Sequence, residues 1–238
     1  MLPPLNRANS GVKIELKDVL IIKAIIFDFD GTLANTLPIC YYAFQCVFNE
    51  FDSRDISIEE IKAMFGPSET GIIRENLSNS NKDEAIELYY AKYSERHNQL
   101  VTPHKEIVDL VKHLKEVGLK IGIFTGKAKR SLDISLKALQ MEGLFEVIIT
   151  GDDVNKPKPD PEGLLKALSL LGVESSEALF IGDSDADIDA GVQANVHTVG
   201  VQWLPDYHSM EFTIEPDAIF KSVTEFIDSM KIGVTNEY

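Results

Sequence analysis

The chain has 238 residues, of which 44% are hydrophobic and 26% charged, enough apolar material for the buried core of a globular protein with one or two domains. Its formal net charge of −15 argues against nucleic acid and anionic membrane surfaces as partners, because both require basic patches. No apolar run is long enough to span a bilayer, and the start MLPPLNRANS lacks the apolar stretch of a secretory signal, so we expect a cytoplasmic protein.

Five apolar runs of strand length follow one another along the chain. The first is KAIIFDF, and the others cover residues 120–126, 145–151, 178–183 and 197–201. Their apolar residues are continuous and do not alternate with polar ones, which predicts strands buried on both faces. Amphipathic helical patterns separate the runs, for example HKEIVDLVKHLKEVG, which Gly118 is expected to end. The repetition predicts an α/β fold, a doubly wound, Rossmann-like parallel sheet with helices on both faces.

Residues 37–102 interrupt this order, because they contain successive helical patterns and no convincing strand. An all-helical insertion directly after the first strand predicts a small cap over the carboxyl-terminal edge of the sheet, where it would exclude water. The expected division is a core of residues 1–36 and 103–238 and a helical cap of residues 37–102. The segment VKIELKDV, before Lys23, alternates like a half-exposed strand and has no assigned place in the sheet.

Two aspartates at the end of the first run, Asp28 and Asp30, point to a site with a cation. An Asp-Gly dipeptide alone usually marks a turn. Asp28, however, lies inside the strand pattern, two residues before Asp30 and on the same side of the pleat. Neighbouring carboxylates repel each other and cost desolvation energy, so a site that holds both is expected to use them with a cation.

The ends of the later strands add polar groups at the same edge, which is where open parallel sheets bind ligands. They include Thr125, Gly126, Asp183 and Asp187, and the segment NKPKPDP adds Lys156 and Lys158. Each feature alone is weak, since loop charges are usually solvated. Their convergence on one edge predicts a site for a hard cation such as Mg²⁺.

The segments DFDGT, FTG, KPKPDP and GDSDADIDAG, in this order and spacing, resemble the four motifs of the haloacid dehalogenase-like phosphohydrolase superfamily. The resemblance covers about residues 23–201, and the helical insertion resembles the helical cap of that family. Within the family the chain looks closest to phosphoglycolate-phosphatase-like members. By this resemblance Asp28 is the nucleophile and Asp30 the general acid/base.

The same resemblance implies the remaining site residues. Thr125 and Gly126 would bind the phosphate. Lys156, as the first lysine of the family's KPxP pattern, would offset its charge. The implied cofactor is Mg²⁺, held by Asp28, Asp183, Asp187 and the backbone carbonyl of Asp30.

These roles together imply a Mg²⁺-dependent phosphomonoester hydrolase that acts on a small phosphorylated metabolite, such as phosphoglycolate, through an aspartyl-phosphate. The residue chemistry agrees, because a carboxylate can attack a phosphoryl group only where cations offset the repulsion between them. A monomer or a homodimer is expected. The alternatives are a phosphosugar mutase or pyrophosphatase of the same superfamily and, in a different class, a phospho-accepting receiver-like signalling module. A dehalogenase is disfavoured, because a departing halide gives Asp30 no role.

The cap segment FGPSETGIIREN is predicted to select the substrate, because the residues at the sheet edge handle only the phosphoryl group. Phe65, Gly66 and Ser68 would face the leaving group, with Ser68 at the start of a short helix. Arg74 is a cation that could meet a substrate carboxylate. An ordinary helix–helix turn is the alternative for this segment.

Overall fold

The computed structural model describes residues 22–231. Within these residues, six parallel strands form one sheet in the order β3-β2-β1-β4-β5-β6. The strands are β1 Ala24–Phe27, β2 Lys120–Phe124, β3 Val147–Ile149, β4 Ala178–Gly182, β5 His197–Val201 and β6 Ala218–Phe220. The first five lie in the predicted apolar runs. β6 was not predicted, and the segment VKIELKDV lies outside the described residues.

Four helices come directly after β1 and form the insertion, called the cap below: α1 Leu37–Asp52, α2 Ile58–Ala63, α3 Glu69–Asn76 and α4 Lys82–Leu100. The helices around the sheet are α5 Lys105–Glu116, α6 Lys129–Ala138, α7 Glu162–Leu171, α8 Asp185–Gln193 and α9 Val223–Lys231, with a 3₁₀ turn at Ser175–Glu177. Gly118 has φ of +90° two residues after α5, as expected of a helix-ending glycine.

Buried side chains form a core on each face of the sheet. Ile25 and Phe27 of β1 belong to one hydrophobic cluster, whereas Ala24 and Ile26 belong to the other. Residues of α5, α6 and α9 join the first cluster, and residues of α7 and α8 join the second. The sheet is therefore covered on both sides, which confirms the predicted α/β fold.

The cap shares the first of these clusters, so its interior is continuous with one face of the core. Phe44 of α1 packs against Tyr89 of α4, with ring centroids 4.7 Å apart. Helix α4 also contacts α6 of the core through the Tyr93 and Ser135 hydroxyls, 2.7 Å apart. None of the helices in the described part of the chain is long and apolar enough to cross a membrane.

Candidate active site

Three carboxylates form a buried cluster at the carboxyl-terminal edge of the sheet. Asp28 follows β1, Asp183 follows β4, and Asp187 lies in the first turn of α8. Phe27 pairs with Ile181, so the chains of β1 and β4 leave the sheet side by side. One oxygen atom from each of the three carboxylates lies within 4.8 Å of the others.

This cluster fits Mg²⁺, which prefers carboxylate oxygens. Asp28 is 5% exposed, Asp183 0% and Asp187 1%, so solvent screens the repulsion between their negative charges only weakly. Burial raises the pKa of Asp28 to about 7, while the positive charge of Lys158 acts in the opposite direction. A divalent cation among the three oxygens would favour the ionised form of all of them.

Lys158 is the lysine at this cluster. Its Nζ atom lies 2.6 Å from Asp28 Oδ1 and 2.6 Å from Asp187 Oδ1. Burial lowers the pKa of Lys158, but the charges of Asp187 and Asp28 outweigh burial and raise it above its usual value. The ammonium also lies over the rings of Phe124 and Phe180, at 5.4 and 5.9 Å from their centroids.

The prediction that Lys156 offsets the charge of the phosphate is therefore wrong, because Lys156 lies outside this cluster. The side chain of Lys156 is 73% exposed, and its Nζ pairs with Asp160 Oδ2 at 3.5 Å. The segment KPKPDP contains the KPxP pattern twice, starting at Lys156 and again at Lys158. Only the second copy brings its lysine into the cleft, where two buried carboxylates hold it.

Asp30 lies beside the three-carboxylate cluster. Its Oδ1 atom accepts hydrogen bonds from the Thr36 hydroxyl and, at 3.1 Å, from Lys127 Nζ. Gly31 directly follows Asp30 and has a φ of +82°. A Cβ on Gly31 would overlap the Asp183 carboxylate. The turn thus brings backbone close to the cluster, while the predicted metal contact of the Asp30 carbonyl stays a prediction.

Thr125 and Gly126 line the same cavity at the end of β2. The Thr125 hydroxyl oxygen accepts a hydrogen bond from the Lys127 N–H at 3.2 Å, which leaves its hydrogen free to point elsewhere. Gly126 lies next to the cap, because a Cβ on it would be 3.9 Å from the Gly66 carbonyl oxygen. Both residues lie where the sequence analysis placed them, and their contact with a phosphate stays a prediction.

The cavity has a volume of about 350 Å³ and lies between the core and the cap. Its lining from the cap comprises Leu37, Cys40, Phe44, Phe65, Gly66, Pro67, Glu69 and Ile72. Phe65 and Gly66 are thus on the wall opposite the strand ends, as the sequence analysis expected. The wall is mainly apolar, and its single carboxylate is that of Glu69.

The other two residues expected to act from the cap loop, Ser68 and Arg74, do not line the cavity. Ser68 is the N-cap residue of α3, as predicted, but its hydroxyl makes no capping hydrogen bond and lies 3.0 Å from the Thr70 hydroxyl. Ser68 packs against Gly151 and is not among the residues that line the cavity. The side chain of Arg74 is 56% exposed and pairs with Asp83 at 2.7 Å, away from the cavity.

The sequence analysis missed Lys127, Glu69 and His208. The Lys127 side chain is fully buried, and its Nζ lies 3.2 Å from Glu69 Oε1 as well as 3.1 Å from Asp30 Oδ1. Its place directly after Thr125 and Gly126 was a usable signal in the sequence.

His208 comes from the loop after β5, where no motif marks it. Its Nδ1 atom is 2.8 Å from Asp183 Oδ2, and its backbone N–H donates to the same oxygen at 2.7 Å. Burial lowers the pKa of His208, but the Asp183 charge outweighs burial and raises it to about 9. The ring also packs edge-on against Phe65 of the cap, with centroids 5.6 Å apart.

Comparison with known proteins assigns this architecture to a family. Residues 25–201 match the model of the family described as haloacid dehalogenase-like hydrolase. The chain belongs to this family, which confirms the resemblance drawn from its motifs. It is an enzyme of the phosphatase type, as predicted.

The chain is similar to a named pyrophosphatase in sequence and to two crystal structures in fold. A pyrophosphatase PpaX of Anoxybacillus flavithermus is 34% identical over 215 residues, which cover 90% of this chain and 99% of that protein. The crystal structure of a predicted phosphoglycolate phosphatase from Haemophilus somnus has a TM-score of 0.76 at 21% identity and covers 88% of this chain and 98% of its own. CbbY from Rhodobacter sphaeroides, solved with phosphate, gives 0.76 at 21% identity over 89% of this chain and 100% of its own. At these identities the two structures support the fold alone.

Proposed function

We propose that this protein is a Mg²⁺-dependent phosphomonoester hydrolase that forms an aspartyl-phosphate on Asp28. The observation that carries the proposal is the contact of the Asp28 carboxylate with Lys158 inside a buried three-carboxylate cluster, beside Asp30. A nucleophilic carboxylate needs this environment, because nearby cations must offset the negative oxygens of the phosphoryl group.

In the first step, an Asp28 oxygen attacks phosphorus and the bond from phosphorus to the leaving oxygen breaks. The Asp30 carboxyl group donates its proton to that oxygen, so the leaving group departs as a neutral alcohol. Lys158 offsets the charge on the phosphoryl oxygens as the transition state forms.

In the second step, water attacks the phosphorus of the aspartyl-phosphate. Asp30, now ionised, accepts a proton from that water, and the bond between Asp28 and phosphorus breaks to release inorganic phosphate. The cap wall, with Phe65 and Ile72, keeps other water from the site.

The cation would be held by Asp28, Asp183 and Asp187, with the Asp30 carbonyl as the further ligand implied by the family. When bound, it supplies positive charge against the phosphoryl oxygens.

The leaving group we propose is small, because the cavity of about 350 Å³ must also hold the phosphoryl group. Phosphoglycolate remains a test substrate. Arg74 does not support a carboxylate-bearing leaving group, because it pairs with Asp83 outside the cavity.

Pyrophosphate is the second candidate, because the relative from Anoxybacillus flavithermus at 34% identity is named a pyrophosphatase. The same residues would then act, with phosphate as the leaving group in place of an alcohol.

The test is phosphate release from phosphoglycolate, sugar phosphates, nucleotides and pyrophosphate, each with Mg²⁺ and with excess chelator. We expect Mg²⁺-dependent release from at least one small phosphomonoester. Preference for pyrophosphate over every monoester would favour the second candidate. A sugar phosphate that is rearranged without net phosphate release would indicate a mutase and contradict the proposal.

A further inference from the structure

We propose that Glu69 of the cap is a positioning residue that fixes Lys127 and, through it, the Asp30 carboxylate when the cap is docked on the core. This inference rests on the proposed role of Asp30 as the general acid/base. It assigns to the cap a function in proton delivery, beyond covering the site.

Glu69 is the first residue of α3, and its carboxylate points away from its own helix into the core. The side chain is 7% exposed. One carboxylate oxygen accepts a hydrogen bond from the backbone N–H of Ala128, and the other accepts one from the Ser131 hydroxyl at 2.5 Å. Ala128 and Ser131 belong to the start of α6, where backbone N–H groups lack partners within the helix and a negative charge is favourable. A cap residue therefore completes the end of a core helix.

The same carboxylate shares a buried ammonium with Asp30. Lys127 Nζ lies 3.2 Å from Glu69 Oε1, and 3.1 and 3.4 Å from the two oxygens of Asp30. It also lies 4.6 Å from the centroid of the Tyr93 ring, so its surroundings are closed. An ammonium held between two carboxylates has a defined position, whereas one held by a single carboxylate follows that partner.

Proton transfer depends on such positions, because an error of about 1 Å in a reacting group can cost about 10²-fold in rate. Glu69 lies on the cap, while Lys127 and the start of α6 belong to the core. The three-way contact therefore exists only with the cap seated as it is in this structure. Docking of the cap would therefore also fix the orientation of the Asp30 carboxylate.

The test compares Glu69→Gln with a matched control, Glu87→Gln. Glu87 of α4 also joins the cap to α6, through Arg130 at 2.6 Å, but it is exposed and does not contact Lys127. Each variant is assayed with p-nitrophenyl phosphate, whose leaving group departs without a proton, and with benzyl phosphate, whose leaving alkoxide needs one.

For Glu69→Gln we expect kcat/KM with benzyl phosphate to fall about tenfold or more, as for a disturbed general acid. With p-nitrophenyl phosphate, kcat/KM should stay within about threefold, because this constant reports the first step and that leaving group needs no proton. The comparison uses kcat/KM because Asp30 also acts in the second step, which is common to both esters. Glu87→Gln should leave both esters near wild type. If Glu69→Gln does not fold, Glu69→Asp should show the same selective loss, because its shorter side chain keeps the negative charge but moves it away from Lys127.

A double-mutant cycle with Lys127→Met tests the route. If Glu69 acts through Lys127, the two changes should not add in their effect on kcat/KM for benzyl phosphate. Additive effects, or an equal loss of kcat/KM with both esters, would overturn the proposal and leave Glu69 as a docking residue. A wild-type enzyme that releases phosphate from none of the phosphomonoesters tested, these two esters included, would instead refute the proposed function, and this proposal with it.

Discussion

Replacing Lys158 with methionine tests the most consequential feature of the site. The substitution removes the ammonium that lies 2.6 Å from both Asp28 and Asp187. It keeps most of the apolar stem that packs near Phe124 and Phe180. Lys156→Met is the matched control, because the same change is made two residues away on an exposed side chain.

The expected size of the effect follows from Coulomb's law. A unit charge about 4 Å from the ammonium interacts with it by about 4 kcal/mol at an effective dielectric constant of about 20. Each 1.4 kcal/mol or so of lost transition-state stabilisation costs about tenfold in rate. Removal of one preorganised group of this kind typically costs about 10²–10³-fold, so we expect kcat for Lys158→Met to fall by about that factor.

A loss of stability must be separated from this loss of rate. Breaking a buried ion pair on one side typically destabilises a protein by about 3–5 kcal/mol, because a charge stays buried without its partner. The assay is therefore run with saturating Mg²⁺, on protein shown by circular dichroism to be folded, with p-nitrophenyl phosphate as substrate. Lys156→Met should stay within about threefold, since exposed ion pairs contribute little. Equal losses in the two variants, or a larger loss for Lys156→Met, would refute the assignment.

Three further outcomes are expected. Asp28→Asn should remove nearly all activity and retain the fold, because the amide is isosteric but a poor nucleophile; wild-type-like turnover would contradict the assignment of the nucleophile. Excess chelator should silence the enzyme and added Mg²⁺ should restore it, whereas undiminished hydrolysis would exclude the proposed cation. Gly31→Ala should lower activity and weaken activation by Mg²⁺, because a Cβ there overlaps the Asp183 carboxylate and φ is +82°; titration with Mg²⁺ against wild type measures this.

The sheet and its acidic edge were predictable because they depend on local sequence and on one topological rule. Continuous apolar runs mark strands buried on both faces, and parallel strands all end at the same edge. The sequence alone therefore predicts that Asp28 and Asp183 lie close together. β6 escaped because it has three residues, Ala218–Phe220, and Ile219 is 48% exposed, so its pattern differs from that of the buried strands.

The choice between the two lysines could not be made from charge or spacing, since both fit the same short pattern. Burial decides it, because Lys158 has two aromatic rings and two carboxylates around it. The contacts of the cap were harder still. Glu69 resembles any acidic residue in the first turn of a helix, and only the docking of α3 against α6 reveals that it serves another helix.

The balance of charge at the site supports the proposed requirement for a cation. The carboxylates of the site are those of Asp28, Asp30, Glu69, Asp183 and Asp187. Its cationic groups, Lys127, Lys158 and His208, each already contact at least one of these carboxylates. An incoming phosphoryl group adds further negative charge, in a chain whose formal net charge is −15. The proposed divalent cation would offset repulsion in the bound complex as well as in the transition state, and we expect its removal to impair substrate binding together with turnover.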